Sequence, residues 1–225
     1  MKKIIALLFT GCIAVSALAK DKAELDNVIR KITAKFEALQ AKPDKAIPKE
    51  TLRSAQGIVL LDRTKAGFVF AFQGGGGLAT VRIPKTGAWS APAFFSANEA
   101  SLGFQVGGQQ SFVVILLMTT NSTRLLTHGD IEFGGEARGT AGDSSTGVEG
   151  SVKTTPSILV YDDRKGLYGG ATVKGGAISS DEEANTLYYG QYAPLEDILF
   201  KNKFKPSEPA TLLFEKFDKA EKAAK

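Results

Sequence analysis

Phe112-Val113-Val114-Ile115-Leu116-Leu117-Met118 decides the fold. The run is wholly apolar and rich in β-branched residues, which reads as a β-strand buried on both faces. Its seven residues fall far short of the roughly 20 that a membrane-spanning helix needs. On both sides of it the pattern is again one of short strands. Upstream lie Ile58-Val59-Leu60-Leu61, Gly67-Phe68-Val69-Phe70-Ala71-Phe72 and Leu78-Ala79-Thr80-Val81-Arg82-Ile83, the last closed by a turn at Pro84-Lys85-Thr86-Gly87. Downstream lie residues 130–133, 147–152, 157–161 and 166–173. Short strands at about ten-residue spacing predict an antiparallel sandwich or barrel. Every glycine except Gly11 falls between Gly57 and Gly190, and four pairs (Gly107-Gly108, Gly134-Gly135, Gly169-Gly170, Gly175-Gly176) sit in or beside strand patterns. Glycine there marks bends, bulges or close backbone approach. The expectation is a strongly curved sheet that could close into a barrel.

Helices are predicted at both ends, making an α+β domain. In residues 21–40 the apolar positions Leu25, Val28, Ile29, Ile32, Phe36 and Leu39 step by 3, 1, 3, 4 and 3, one face of a helix. Arg30, Lys31 and Lys35 sit off that stripe, and Pro43 and Pro48 end it. After the sheet, Asp181-Glu182-Glu183-Ala184-Asn185 opens a helical turn and residues 194–199 read as another short helix. Ser207 caps a terminal helix with Leu212, Leu213, Phe214 and Phe217 on its apolar side. The resulting organisation is a leader at 1–19, an amphipathic helix and linker at 20–50, a β-rich domain at 51–200, and a C-terminal helix and tail at 201–225.

The leader is read from Lys2 and Lys3, the apolar stretch that follows them, and Ala17-Leu18-Ala19 just before the charged Lys20-Asp21-Lys22. Charge, apolar run and small-x-small in that order form a secretory signal peptide cleaved after Ala19. The competing reading takes Phe9-Thr10-Gly11-Cys12 as a lipoprotein box with lipid on Cys12. Removing 19 of 225 residues leaves 206, with no cysteine and hence no disulfide. A domain of that size buries enough apolar surface without one. The whole chain carries 28 basic and 24 acidic residues; loss of Lys2 and Lys3 leaves 26 against 24, an excess of +2. That is no nucleic-acid footprint.

Motifs for chemistry are sparse. The one histidine, His128, precedes Gly129-Asp130, but no G-x-S-x-G elbow accompanies it, so it reads as a loop or strand-edge residue. One histidine and no mature cysteine give zinc no ligand set. Asp162-Asp163 and Asp181-Glu182-Glu183 lack EF-hand spacing and read as turn and helix-start acids. Gly74-Gly75-Gly76-Gly77 is not followed by G-K-[ST] and a helix, so it reads as a flexible hairpin turn rather than a phosphate loop. No catalytic residue, metal or cofactor is expected. The N-terminal helix has two readings: it lies on a membrane surface, or its apolar stripe covers the sheet; its spacing favours the second.

Several segments together carry a family resemblance. Ala55-Gln56-Gly57-Ile58-Val59-Leu60-Leu61, Lys65-Ala66-Gly67-Phe68-Val69-Phe70, Gly74 to Gly77, Trp89-Ser90-Ala91-Pro92-Ala93, Gly103-Phe104-Gln105-Val106-Gly107-Gly108, Phe112-Val113-Val114-Ile115-Leu116, Gly166-Leu167-Tyr168-Gly169-Gly170 and the stretch from Asn185 to Tyr189-Gly190 follow one another as in the SYLF family of lipid-binding domains. The resemblance covers about residues 52–200. It implies binding to membrane phospholipids, with anionic phospholipid the ligand expected of an exported chain. It also implies headgroup contact from a basic helix ahead of the domain, here Arg30, Lys31 and Lys35, with Phe36 and its neighbours either inserting or packing on the domain. The expected location is the periplasm or the periphery of an envelope membrane. The alternative function is a structural or protein-interaction role with an envelope protein partner.

Overall fold

The computed structural model describes residues 21–67, 71–101, 107–127, 130–133, 157–163, 166–168 and 176–222. The leader with Cys12 and Ala19, His128, the strand expected at 147–152, and Gly134-Gly135, Gly169-Gly170 and Gly175 lie outside them. Two helices, α1 (Lys22–Gln40) and α2 (Lys49–Ser54), precede four long strands: β1 (Gly57–Gly67), β2 (Ala71–Val81), β3 (Ala93–Ser101) and β4 (Gly107–Leu117). Then come α3 (Thr120–Arg124), β5 (Asp130–Phe133), β6 (Ile158–Asp162), β7 (Gly166–Tyr168) and β8 (Gly176–Ser180). The chain ends with α4 (Glu182–Tyr189), a π-helical turn (Glu196–Phe200) and α5 (Glu208–Lys222).

Among the described residues all eight strands join one antiparallel sheet in the order β5-β8-β3-β2-β1-β4-β6-β7. The central β3-β2-β1-β4 run is a Greek key, three consecutive neighbours with the fourth strand returned beside the first. The antiparallel sheet of an α+β domain is as expected, and of the closed and open forms it takes the open one: among the described residues the edge strands β5 and β7 do not pair with each other. Closure is not needed to bury it, because helical segments cover both faces.

Residues 112–117 of β4 are all buried, in two alternating sets. Phe112, Val114 and Leu116 join Ile58 and Leu60 of β1 in a core under α1, α2, α4 and α5. Val113, Ile115 and Leu117 join Val59 and Leu61 in a second core, closed by Leu126, Ile198, Leu199 and Phe204. Period-two geometry sends successive side chains to opposite faces, so an unbroken apolar run is what a sheet covered twice demands. Helix α1 is capped by Asp21, which accepts from the Glu24 N–H at 2.7 Å. It buries Leu25, Ile29, Ile32, Phe36 and Leu39, a docking contribution on the order of 10 kcal/mol.

The glycine run is a correction to the expected hairpin turn. The residues from Gly74 to Gly77 lie inside β2, with Gly75 opposite Arg63, Gly76 opposite Asp62 and Gly77 opposite Leu61. A Cβ at Gly75 would overlap the Asp62 carbonyl oxygen, and one at Gly77 that of Leu60. Gly75 and Gly77 are glycine because the neighbouring backbone occupies the space a side chain would need. The turn expected at Pro84 to Gly87 is present: the Gly87 N–H donates to Ile83 O at 2.8 Å, with Gly87 at φ +70°.

Candidate functional site

Strand β1 carries an acid on its helix-covered face. Ile58 and Leu60 enter the core there, and Asp62 is the next residue of the same parity. Above it, Lys31 and Lys35 are one turn apart on α1, a spacing that brings both side chains to one place. Lys31 Nζ lies 2.8 Å from one Asp62 oxygen and Lys35 Nζ 2.5 Å from the other. The Asp62 side chain is only 14% exposed, against 60% for Lys31 and 24% for Lys35. Burial opposes ionisation of Asp62, but hydrogen bonds and charge from Lys31 and Lys35 together outweigh it and hold the carboxyl below its ordinary range. Two ammonium groups thus share one carboxylate, a local excess of one positive charge.

The other two predicted residues lie elsewhere. Arg30 Nη2 reaches Glu208 at 3.2 Å, tying α1 to the start of α5. Phe36 is 1% exposed, its ring edge-on to Phe217 at 5.0 Å between centroids. Of the two expectations for it, insertion or packing, the structure shows packing. Helix α1 as a whole is balanced: with its cap it holds Lys22, Arg30, Lys31 and Lys35 against Asp21, Glu24, Asp26 and Glu37. It offers one local cationic point, not a basic surface.

Beside that point a cavity of about 430 Å³ runs between α1 and the sheet. Gly76 and Gly77 line it with bare backbone, Leu25, Val28 and Phe94 supply apolar surface, and Lys31, Glu24 and Asp181 supply charge. The glycines that keep β1 and β2 in register also leave this space open. The cleft is mainly apolar, and its one lysine, Lys31, stands with the carboxylates of Glu24 and Asp181 on the lining. A larger groove of about 970 Å³ lies where the end of α1 and the linker to α2 meet α5, with Lys49, Lys216 and Lys219 on its lining. Sequence reasoning missed both cavities: they form only where segments distant in the chain meet.

Neighbouring polar groups hold the frame. Asn185 of α4, 1% exposed, accepts from the Phe94 N–H at 2.8 Å and donates to the Phe94 carbonyl at 3.1 Å. Tyr188 donates to Asp26 at 2.9 Å and also meets Ser207, joining α4, α1 and the residue before α5. Two of the acids weighed as cation ligands serve the backbone: Asp181 accepts from the Ala184 N–H at 3.0 Å and Asp163 from the Phe112 N–H at 3.0 Å.

Comparison with known proteins gives a consistent result. The Ysc84 family, described as Las17-binding protein actin regulator, matches residues 98–220. An SH3 domain-containing YSC84-like protein 1 from Xenopus laevis is 31% identical over 188 residues, 81% of this chain and 56% of that protein. The Homo sapiens protein of the same name is 30% identical over 173 residues, 76% of this chain and 50% of that protein. LAS seventeen-binding protein 3 of Saccharomyces cerevisiae is 30% identical over 176 residues, 76% of this chain and 38% of that protein. The chain spans about half the length of the curated relatives it matches, or less. Lys31, Lys35 and Asp62 precede the family-matched span, whereas Asn185 and all but the last two residues of α5 fall within it.

Proposed function

The chain belongs to the Ysc84, or SYLF, family, and from that premise we propose that it is a non-catalytic module that binds anionic phospholipid. The observation that carries the reading is the sharing of Asp62 by Lys31 and Lys35 beside an apolar, glycine-lined cavity. A lipid phosphate meets Lys31 and Lys35 as a second counter-ion, while the glyceryl and upper acyl carbons enter between Leu25, Val28 and Phe94. Each ammonium contributes about 1 kcal/mol toward an anionic headgroup near a membrane, so the interaction is weak, reversible and salt-sensitive. Because Ile29, Ile32, Phe36 and Leu39 are committed to the core, the helix contributes charge and a cavity wall rather than an inserted face. The reading takes residues 1–19 as a leader removed after Ala19 and places the mature chain at an envelope membrane.

The test uses residues 20–225 with neutral and anionic vesicles at low and physiological salt, and a titration with a short-chain phosphatidylglycerol below its micelle concentration. Selective, salt-sensitive binding of the anionic lipid, with the short-chain ligand lost in Lys31→Ala/Lys35→Ala, is expected. Absence of anionic selectivity in both assays refutes the reading and leaves a protein-interaction role, in keeping with the names of the SH3 domain-containing and Las17-binding relatives. Mass spectrometry of the mature N-terminus separates cleavage after Ala19 from lipidation at Cys12.

A further inference from the structure

On the face of the sheet opposite α1, residues 190–205 fold over the second core together with the turn Leu125–Thr127 that follows α3. Ala193, Ile198, Leu199 and Phe204 are buried there with Leu126. Their neighbours point outward: Tyr192 is 74% exposed and Leu125 is 39% exposed. Arg124 lies 4.0 Å from the Phe200 ring centroid and reaches Glu196 at 2.9 Å. Lys201 and Lys203 reach the two oxygens of Asp197 at 3.1 and 2.8 Å, and the backbone between them turns at Asn202 with φ 51°. Lys205 is exposed and has no ion-pair partner among the described residues. Among the described residues, Arg124, Lys201, Lys203 and Lys205 stand against Glu196 and Asp197, an excess of two positive charges where α1 has none.

This inference rests on the lipid-binding reading. We propose that this surface, Tyr192 and the lysines up to Lys205 with Arg124 and Leu125, is where the protein docks on an anionic bilayer, separately from the cavity under α1. Charge complementarity selects the occupant. Lysine ammonium groups on flexible stems suit a fluid array of headgroup phosphates. An exposed tyrosine beside a leucine suits the interfacial zone, where the ring is apolar and its hydroxyl stays wet. Both side chains stand out from the surface rather than lining either cavity. The second core holds the segment in place, so docking requires no rearrangement.

The test compares wild type, a surface variant (Lys201→Gln, Lys203→Gln, Lys205→Gln, Tyr192→Ser) and Lys31→Ala/Lys35→Ala, in vesicle co-sedimentation and short-chain lipid titration. At about fivefold per lysine near an anionic surface, the surface variant loses roughly a hundredfold in vesicle partition while still binding the short-chain lipid. The α1 variant shows the converse, losing the short-chain lipid while still pelleting with vesicles. All substituted groups are on the outside except the half-buried Lys35, so thermal melting confirms that each variant is folded. A surface variant that pellets like wild type overturns the proposal and leaves the lipid-binding reading standing, with the surface assigned to an acidic protein partner. Wild type that binds short-chain lipid but no vesicle overturns it likewise, and wild type that binds neither overturns both.

Discussion

Replacing Asp62 by Asn separates the two jobs of the Lys31–Asp62–Lys35 cluster, because stability and ligand binding should move in opposite directions. The carboxylate is mostly covered and holds two ammonium groups at 2.8 and 2.5 Å. The bond to the exposed Lys31 contributes little, and most of the loss comes from Lys35, which is half-buried and left without its counter-ion. The expected cost is about 1–2 kcal/mol, a fall in Tm of about 3–6 °C for a domain of this size. The same change adds one net positive charge beside the cavity and removes the internal competitor for a lipid phosphate. Short-chain anionic lipid should then bind about fivefold more tightly. Calorimetric melting and lipid titration on the same preparation read both effects. Asp62→Asn that stays folded yet binds anionic lipid no better, or worse, would refute the reasoning, since the carboxylate would then be orienting the lysines rather than competing for them. The pH dependence follows from the sign of the shift. Asp62 has a folded pKa below its ordinary value of 3.8, so its contribution is fully present above that value and lost as pH falls through the lower folded one. The Tm difference between wild type and Asp62→Asn should therefore be constant near neutrality and shrink only below about pH 4.

Phe36→Ala should cost about 3–5 kcal/mol in denaturant unfolding, with vesicle binding by the remaining folded protein unchanged; weaker binding at undiminished stability would restore the insertion reading of Phe36. Asn185→Ala should cost about 2 kcal/mol by leaving the Phe94 N–H and carbonyl without their buried partner, measured by urea unfolding; a neutral result would mean water replaces the amide there. Gly77→Ala should destabilise by about 1–3 kcal/mol, because the new methyl meets the Leu60 carbonyl. In a flexible turn the same change would be neutral or mildly stabilising, so the midpoint in denaturant discriminates the two placements of the glycine run.

The parts of this protein legible in the chain are those governed by local periodicity. The steps from Leu25 to Leu39 specify which face of α1 is apolar, and five of those six residues are buried while Val28 edges the cavity. The run from Phe112 to Leu117 specifies a strand covered twice, because no other strand environment accepts apolar groups at both parities. Ser207 and Asp181 mark helix starts through side-chain chemistry that acts within a few residues. The family, too, was carried by short ordered motifs, and the match over residues 98–220 bears it out.

What required the tertiary structure is whatever depends on a partner far away in sequence. Strand β3, Ala93-Phe94-Phe95-Ser96-Ala97-Asn98-Glu99-Ala100-Ser101, has no clean alternation and is a strand because β2 and β8 pair with it on either side. The run from Gly74 to Gly77 has no side chains to show a period, so only its pairing with β1 reveals it as strand rather than turn. The helical period puts Lys31 and Lys35 side by side with Arg30 apart from them, but it names no partner for any of the three; docking sends the pair to Asp62 and Arg30 to Glu208. Local sequence determines which faces are apolar and where elements end, since those are short-range steric and hydrogen-bonding effects. The pairing of charges, the opening of cavities and the choice of which cations stay at the surface are set when apolar faces close on one another, a long-range event that single-residue patterns do not encode.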